Sequence, residues 1–377
     1  MKFIHLADLH IGKRVNEFSM IEDQKYILAQ ILNIIDEEKV DAVFVAGDVY
    51  DKAVPTVEAV QVFDDFLTKL KERKLWVFVI SGNHDSTERL AFGAKVFREN
   101  QIYINHGFNG KVECVKYEDD LGELYIYMLP FIKPSQVRSA YDIEIENYHQ
   151  ALEEVMRRMD IDKTKRNILL AHQFVTGAKQ SESEEYFLGG MDNVESYVFE
   201  DFDYVALGHI HRPQKMNKDT IRYAGSPLKY SFSEVKYAKK VCIVEMKNKG
   251  TVEIKERELV PKRELREIRG KYMEITAKSF YENMNTDDYF RIILTDEEDI
   301  KEVVGKLRSI YPNLMRVEYD NKRTREKKEL IFEKQEKMKS PFTLMAELYQ
   351  KQNNKPMNRE QEKFIEELME TIKWGER

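Results

Sequence analysis

The feature that most constrains this chain is repeated along it: a short apolar run stops abruptly in a polar cluster rich in aspartate and histidine. Leu75-Trp76-Val77-Phe78-Val79-Ile80 gives way to Ser81-Gly82-Asn83-His84-Asp85. That pattern reads as a buried strand delivering polar side chains to a loop at its C-terminal tip, the place where open α/β sheets bind ligands. Lys2–Ala7 likewise ends in Asp8-Leu9-His10, and Asp41–Ala46 ends in Gly47-Asp48-Val49-Tyr50-Asp51. Asn167–Ala171 ends in His172-Gln173, and Asp203–Leu207 ends in Gly208-His209-Ile210-His211. Any one of these clusters alone is an ordinary turn. Together, at the ends of successive strands, they define a site.

The segments between the strands supply the layers. Glu17–Glu38 carries Ile27, Leu28, Ile31, Leu32 and Ile35 at helical spacing, and a second helix over Thr56–Lys74 follows Pro55. With the strands these make a β-α-β-α-β start, and a helix-like segment then runs from Thr87 to Glu99. Leu124–Leu129 reads as a strand and Glu144–Met159 as a helix, while Ile221–Ala224, Val241–Met246 and Thr251–Glu256 alternate as antiparallel strands with one wet face do. The expected fold is four-layered α/β, with two facing mixed β-sheets flanked by helices.

Beyond Pro261 the chain becomes more charged. Strands at Tyr272–Thr276, Tyr289–Leu294 and Leu314–Tyr319, with a helix over Glu297–Ile310, predict a small α+β unit. Asp320–Lys339 is a dense mixture of charges, read as a solvated helix or linker. Phe342–Gln350 and Asn358–Trp374 form a final amphipathic helix pair too short to bury its apolar faces alone. The expected domains are therefore residues 1–260, 265–320, a charged linker over 321–341, and the helix pair over 342–377.

Composition limits the function classes. With 42% hydrophobic residues in 377, the chain has enough apolar material for a sizeable core. Its two cysteines, Cys114 and Cys242, provide no disulfide framework and no zinc-binding pair, which fits a reduced cytoplasmic setting. The N-terminus begins a strand at once, without the pattern of a signal peptide. No stretch approaches the roughly 18 apolar residues of a membrane span, so no membrane role is expected. A formal net charge of −7 argues against a general polyanion binder. It leaves room for an enzyme that reaches phosphate through bound cations.

The strand tips supply Asp8, His10, Asp48, Asn83, His84, His172, His209 and His211. Carboxylate, imidazole and amide oxygen without thiolate suit hard-to-borderline divalent ions such as manganese, iron or zinc. His209 and His211 alternate on an extended chain and share a face, where two imidazoles are costly unless they bind something. Asp48 has two oxygens and can bridge two ions. Two ions about 3.5–4 Å apart can clamp the attacking and leaving oxygens of a phosphoryl displacement. His5, His106 and His149 fall outside the pattern and are given no role.

In this order the motifs resemble those of the binuclear calcineurin-like metallophosphoesterases. Phe3–Gly12, Gly47–Asp51 with Pro55-Thr56, Tyr223–Pro227 and Ser231-Phe232-Ser233-Glu234 are further similar to the SbcD family of bacterial nuclease subunits, as is the domain layout. The resemblance implies that Asp8, His10, Asp48 and His211 hold one ion, and that Asp48, Asn83, His172 and His209 hold the other, manganese being the ion expected. His84 would face the scissile phosphate, either stabilising developing charge or protonating the leaving 3′-oxygen. Asp85 would orient its imidazole. Some relatives carry a histidine three residues after the bridging aspartate, where this chain has Asp51; any role of that histidine does not transfer.

The resemblance also implies a 3′-to-5′ exonuclease on duplex DNA ends and an endonuclease on single strands and hairpins, in the cytoplasm beside the nucleoid. The terminal helices would bind the SbcC-type ATPase in a heterotetramer. Homodimerisation would use the helices near Thr56–Lys74 and Thr87–Glu99, although those apolar faces serve equally as core. Two rivals remain: a metallophosphoesterase acting on other phosphodiesters or on phosphoproteins, and an idle scaffold for a DNA-bound ATPase. The basic residues Lys13, Arg14, Lys52 and Arg89 flank the motifs and are left outside the site.

Overall fold

Side-chain alternation along the strands sets the layering. In the computed structural model, which describes residues 1–184, 193–325, 341–353 and 355–371, Phe3, Phe44, Phe78 and Ile80 point to one face of a first sheet. There they meet Ile126, Met128, Ile168, Leu170, Tyr204 and Ala206 of a second. Ile4, Val43, Val45, Val77 and Val79 point the other way, against Ile27, Ile31, Phe63 and Phe66 of the helices Ile21–Glu38 and Val57–Glu72. Leu169, Ala171, Val205 and Leu207 cover the far side of the second sheet with Ala151, Leu152 and Val155 of helix Tyr148–Arg158. The result is the expected α/β/β/α stack.

The first sheet runs in the order Val252–Leu259, Lys239–Met246, Lys2–Leu6, Ala42–Ala46, Trp76–Ile80, Ile102–Ile104. Its last four strands are parallel, as crossover helices require. The second runs Gln214–Lys215, Ile221–Tyr223, Tyr204–Gly208, Arg166–His172, Gly122–Leu129, Glu113–Asp119. Parallel neighbours bring their C-terminal tips to one edge in each sheet, and the two edges meet. A Cβ on Gly208 would lie 1.8 Å from the Ala46 carbonyl oxygen, so only glycine fits where the sheets touch.

Several expectations are corrected. Ile221–Tyr223 runs parallel to Tyr204–Gly208, because the chain first turns back through Gln214–Lys215 and then runs up again. The segment Thr87–Glu99 is two short helices, Thr87–Leu90 and Ala94–Arg98, broken at Gly93 with φ 78°. Tyr272–Ile275 is helical, not a strand: the Glu274 carboxylate turns back to accept the Lys271 amide at 3.0 Å, closing one turn. The third strand of the small sheet is instead Leu265–Gly270, whose charged Arg266, Glu267 and Arg269 hide its periodicity. The helix expected over 297–310 is confined to Val303–Arg308.

The small sheet has its own core of Ile268, Phe290, Ile292, Leu294, Leu307 and Tyr311. It is tied to helix Ile21–Glu38 through Asp23, which pairs with Arg263 at 3.0 Å and accepts the Tyr289 hydroxyl at 2.8 Å. Of the expected linker, 326–340 lie outside the described residues, as do 354 and 372–377. The terminal helices are Pro341–Asn353 and Arg359–Thr371, joined by a Gln361–Tyr349 hydrogen bond of 2.9 Å. No helix among the described residues is long and apolar enough to cross a membrane.

Candidate metal centre

The strand tips do not relax into ordinary turns. Asp8, His10, Asp48 and His209 have φ of 53°, 43°, 51° and 102°, in or near the left-handed region that costs a non-glycine residue about 1–3 kcal/mol. Their backbone is held there by its neighbours. The amides of Asp8, His10 and Ile11 donate to the carbonyls of Gly47, Asp48 and Val49, so the two loops remain paired beyond their strands. Gln24 donates to the His10 carbonyl at 2.7 Å and accepts the Gly12 amide at 2.9 Å, and the Tyr230 hydroxyl donates to the Leu9 carbonyl. Sequence spacing offered no sign of Gln24 or Tyr230 in this role.

All eight tip residues converge. Donor atoms of Asp8, His10 and His211 lie within 4.8 Å of one another, as do those of Asp8, Asp48 and His172, and those of His10, Asp48 and His84. Asp48 Oδ2 stands between the two halves, 3.6 Å from His10 Nε2 and 3.3 Å from His172 Nε2. Asn83 Oδ1 lies 3.0 Å from both His172 Nε2 and His209 Nδ1. The His10 and His211 Nε2 atoms face each other at 3.0 Å.

This arrangement fits divalent cations. Asp8 Oδ2 is buried without a hydrogen-bond partner, a costly state for a carboxylate oxygen unless a cation meets it. His172 Nδ1 donates to the Ala46 carbonyl at 2.8 Å, which fixes the tautomer and turns the Nε2 lone pair inward. Burial pushes His209 down to about 3 and holds His10 and His211 well below the ordinary histidine range, so all three present neutral nitrogens. Burial also pushes the Asp8 carboxyl up to about 7. Burial opposes charge on Asp48 and His172 as well, but their mutual attraction prevails: with no cation bound His172 rises to about 9, a proton on Nε2 taking the place that a cation would claim, and Asp48 falls well below the usual carboxylate value. The centre thus draws in positive charge.

The structure shows how Asp85 and His84 are held. The Asp85 carboxylate accepts the amides of Val49 at 3.1 Å, Tyr50 at 2.9 Å and Gly82 at 3.0 Å. It therefore clasps the second and third loops together at the backbone. His84 Nδ1 lies 3.1 Å from the Asp51 carbonyl, and its amide donates to Asp48 Oδ1 at 2.9 Å. Lys13, considered only as a flanking cation, pairs with the Asp51 carboxylate at 2.7 Å. Ser183, Glu184, Glu234 and Lys239 surround His211 and were missed. The one sequence sign was a glutamate in the Ser231-Phe232-Ser233-Glu234 segment.

Comparisons with known proteins give the family. Residues 1–213 match the calcineurin-like phosphoesterase family model, and residues 261–353 match a model described as the type 5 capsule protein repressor C-terminal domain. The chain is 38% identical over 320 residues to the SbcD subunit of nuclease SbcCD of Staphylococcus epidermidis, covering 84% of each protein. Among solved structures, a dimetal phosphatase from Danio rerio matches 69% of this chain and 96% of its own at 11% identity, with a TM-score of 0.45. The protein TT1561 of Thermus thermophilus covers 67% of this chain and 97% of its own at 12% identity, with a TM-score of 0.38. The chain belongs to the calcineurin-like phosphoesterase family, among the metal-dependent hydrolases similar to the SbcD subunit of nuclease SbcCD.

Proposed function

We propose that this chain is a manganese-dependent DNA nuclease, the catalytic subunit of an SbcCD-type complex. The observation that carries the reading is the complete donor constellation, in a chain whose likeness to an SbcD nuclease subunit extends over 84% of both proteins. Asp8, His10, Asp48 and His211 hold one ion. Asp48, Asn83, His172 and His209 hold the other. The pair supplies positive charge to a phosphodiester and lowers the pKa of the attacking water.

His84 acts on the phosphate. With Nδ1 directed to the Asp51 carbonyl, Nε2 is the atom assigned to the leaving 3′-oxygen, which it stabilises or protonates as the phosphorus–oxygen bond breaks. Its amide bond to Asp48 ties that position to the bridging carboxylate. Asp85 keeps the two loops in register.

The domains have separate tasks. Residues 1–260 cleave, 265–320 cap the DNA, 321–341 link, and 342–377 bind the SbcC-type ATPase, which gates duplex access in a heterotetramer. Exposed Val57, Val60, Phe92 and Val96 support a homodimer through that region. The activities are 3′-to-5′ exonuclease on duplex ends and endonuclease on single strands and hairpins, in DNA replication, repair and recombination. A labelled hairpin oligonucleotide incubated with the chain and manganese, magnesium or zinc tests this: opening of the hairpin is expected with manganese. Cleavage of p-nitrophenyl phosphodiesters with the DNA left intact would give the site to another substrate.

A further inference from the structure

His211 sits in the loop after strand Tyr204–Gly208, where no regular element holds it, yet it is gripped at three points. Its amide donates to Glu184 Oε1 at 2.7 Å, its carbonyl accepts from the Lys239 ammonium at 2.7 Å, and its Nδ1 lies 2.6 Å from the Ser183 hydroxyl. Ser183 in turn donates to Glu234 Oε1 at 2.7 Å, and Glu234 Oε2 pairs with Lys239 at 2.5 Å. The Glu234 and Lys239 side chains are 0% and 3% exposed, so the ion pair is deep inside the protein.

A buried ion pair of this kind contributes little net stability, which leaves its retention behind a metal-facing histidine to be explained. The hydrogen-bond inventory explains it. A serine hydroxyl has one proton to donate and two lone pairs. The proton goes to the carboxylate, the strongest acceptor within reach. With its proton committed, the hydroxyl offers His211 Nδ1 a lone pair to donate to. His211 must then carry its proton on Nδ1, with the Nε2 lone pair aimed at His10 and the centre. If the serine proton turned to Nδ1 instead, Nε2 would carry hydrogen and could not bind a cation.

We propose that Ser183, Glu234 and Lys239 form a positioning relay that locks the metal-binding tautomer of His211 and so sets the affinity of one of the two ions. Lys239 holds Glu234 in place, Glu234 commits the serine proton, and Ser183 commits the imidazole. Glu184 and Lys239 fix the His211 backbone. The relay extends the carboxylate–histidine–metal arrangement by one hydroxyl, and its carboxylate lies on Phe232–Glu234, a turn capped by Ser231. The inference rests on the reading of His211 as a ligand.

The test is manganese binding by the full chain, measured by equilibrium dialysis with elemental analysis for the wild type and for Ser183→Ala, Ser183→Thr, Glu234→Gln and His211→Ala. In Glu234→Gln the amide can donate to Ser183, which frees the serine proton for Nδ1. Ser183→Ala and Glu234→Gln are each expected to weaken one ion by about 10–100-fold and leave the other unchanged. Ser183→Thr should bind as the wild type does. Two unweakened ions in Ser183→Ala, or equal losses in Ala and Thr, overturn the relay. So does a loss seen only alongside a lower melting temperature of the metal-stripped chain, since that marks a merely structural role. His211→Ala must lose the same ion; if it keeps both, the ligand assignment fails, and not the relay alone.

Discussion

Asn83 and His84 are adjacent in sequence but meet different neighbours. Asn83 Oδ1 lies 3.0 Å from His172 Nε2, whereas His84 Nδ1 lies 3.1 Å from the Asp51 carbonyl and its amide donates to Asp48 Oδ1 at 2.9 Å. His84→Ala keeps that amide and should retain both ions while losing hairpin cleavage by about 10²–10⁴-fold, the usual contribution of a positioned proton donor. Asp48→Ala should instead lose metal, read by elemental analysis. A His84 variant that cuts at the wild-type rate would remove it from the chemistry. At this scale the sequence was legible wherever a place at a strand tip decides which side chains meet. It was not legible where the role depends on which acceptor a side chain finds in three dimensions. Asp85 follows His84 directly, yet three amides from two loops take up its carboxylate. Ser183 and Glu234 are separated by about fifty residues and meet only through folding.

At the scale of elements, unbroken apolar runs made the inner strands readable, because a strand buried on both sides has few residue types to choose from. Leu265–Gly270 escaped because it carries charge at an edge, and Tyr272–Ile275 because one side chain turning back onto the backbone outweighs a β-like composition. The layer between the two sheets should be the least tolerant part of the molecule. Phe44 is fully buried there, with its ring centroid 4.2 Å from Phe3 and 5.2 Å from Phe78. Phe44→Ala should cost about 3–5 kcal/mol, since the sheets cannot close over the cavity. Urea unfolding of the metal-stripped chain reads this as a lower midpoint with an unchanged slope. Val260→Ala, at a side chain 58% exposed, should lie within about 0.5 kcal/mol of the wild type. Equal effects from the two substitutions would mean that the inter-sheet layer does not carry the stability assigned to it.

Across the whole molecule, the apolar cores among the described residues draw on positions up to Tyr319, and none of them includes a residue of the terminal helices. Pro341–Asn353 and Arg359–Thr371 are 13 residues each, a length at which isolated helices are marginal in water. They nonetheless leave Leu344, Leu348 and Phe364 half-exposed or more. A helix pair with that much uncovered apolar surface gains stability from a partner, and the cores close without it. A chain ending before Phe342 should therefore fold with an unchanged melting temperature, bind two ions and open a hairpin in manganese at the basal rate. It should no longer co-elute with the SbcC-type ATPase on gel filtration. Retained co-elution would move the ATPase surface onto the phosphoesterase core or the small sheet. A truncated chain that lost hairpin cleavage on its own would show that the helices support the catalytic unit directly.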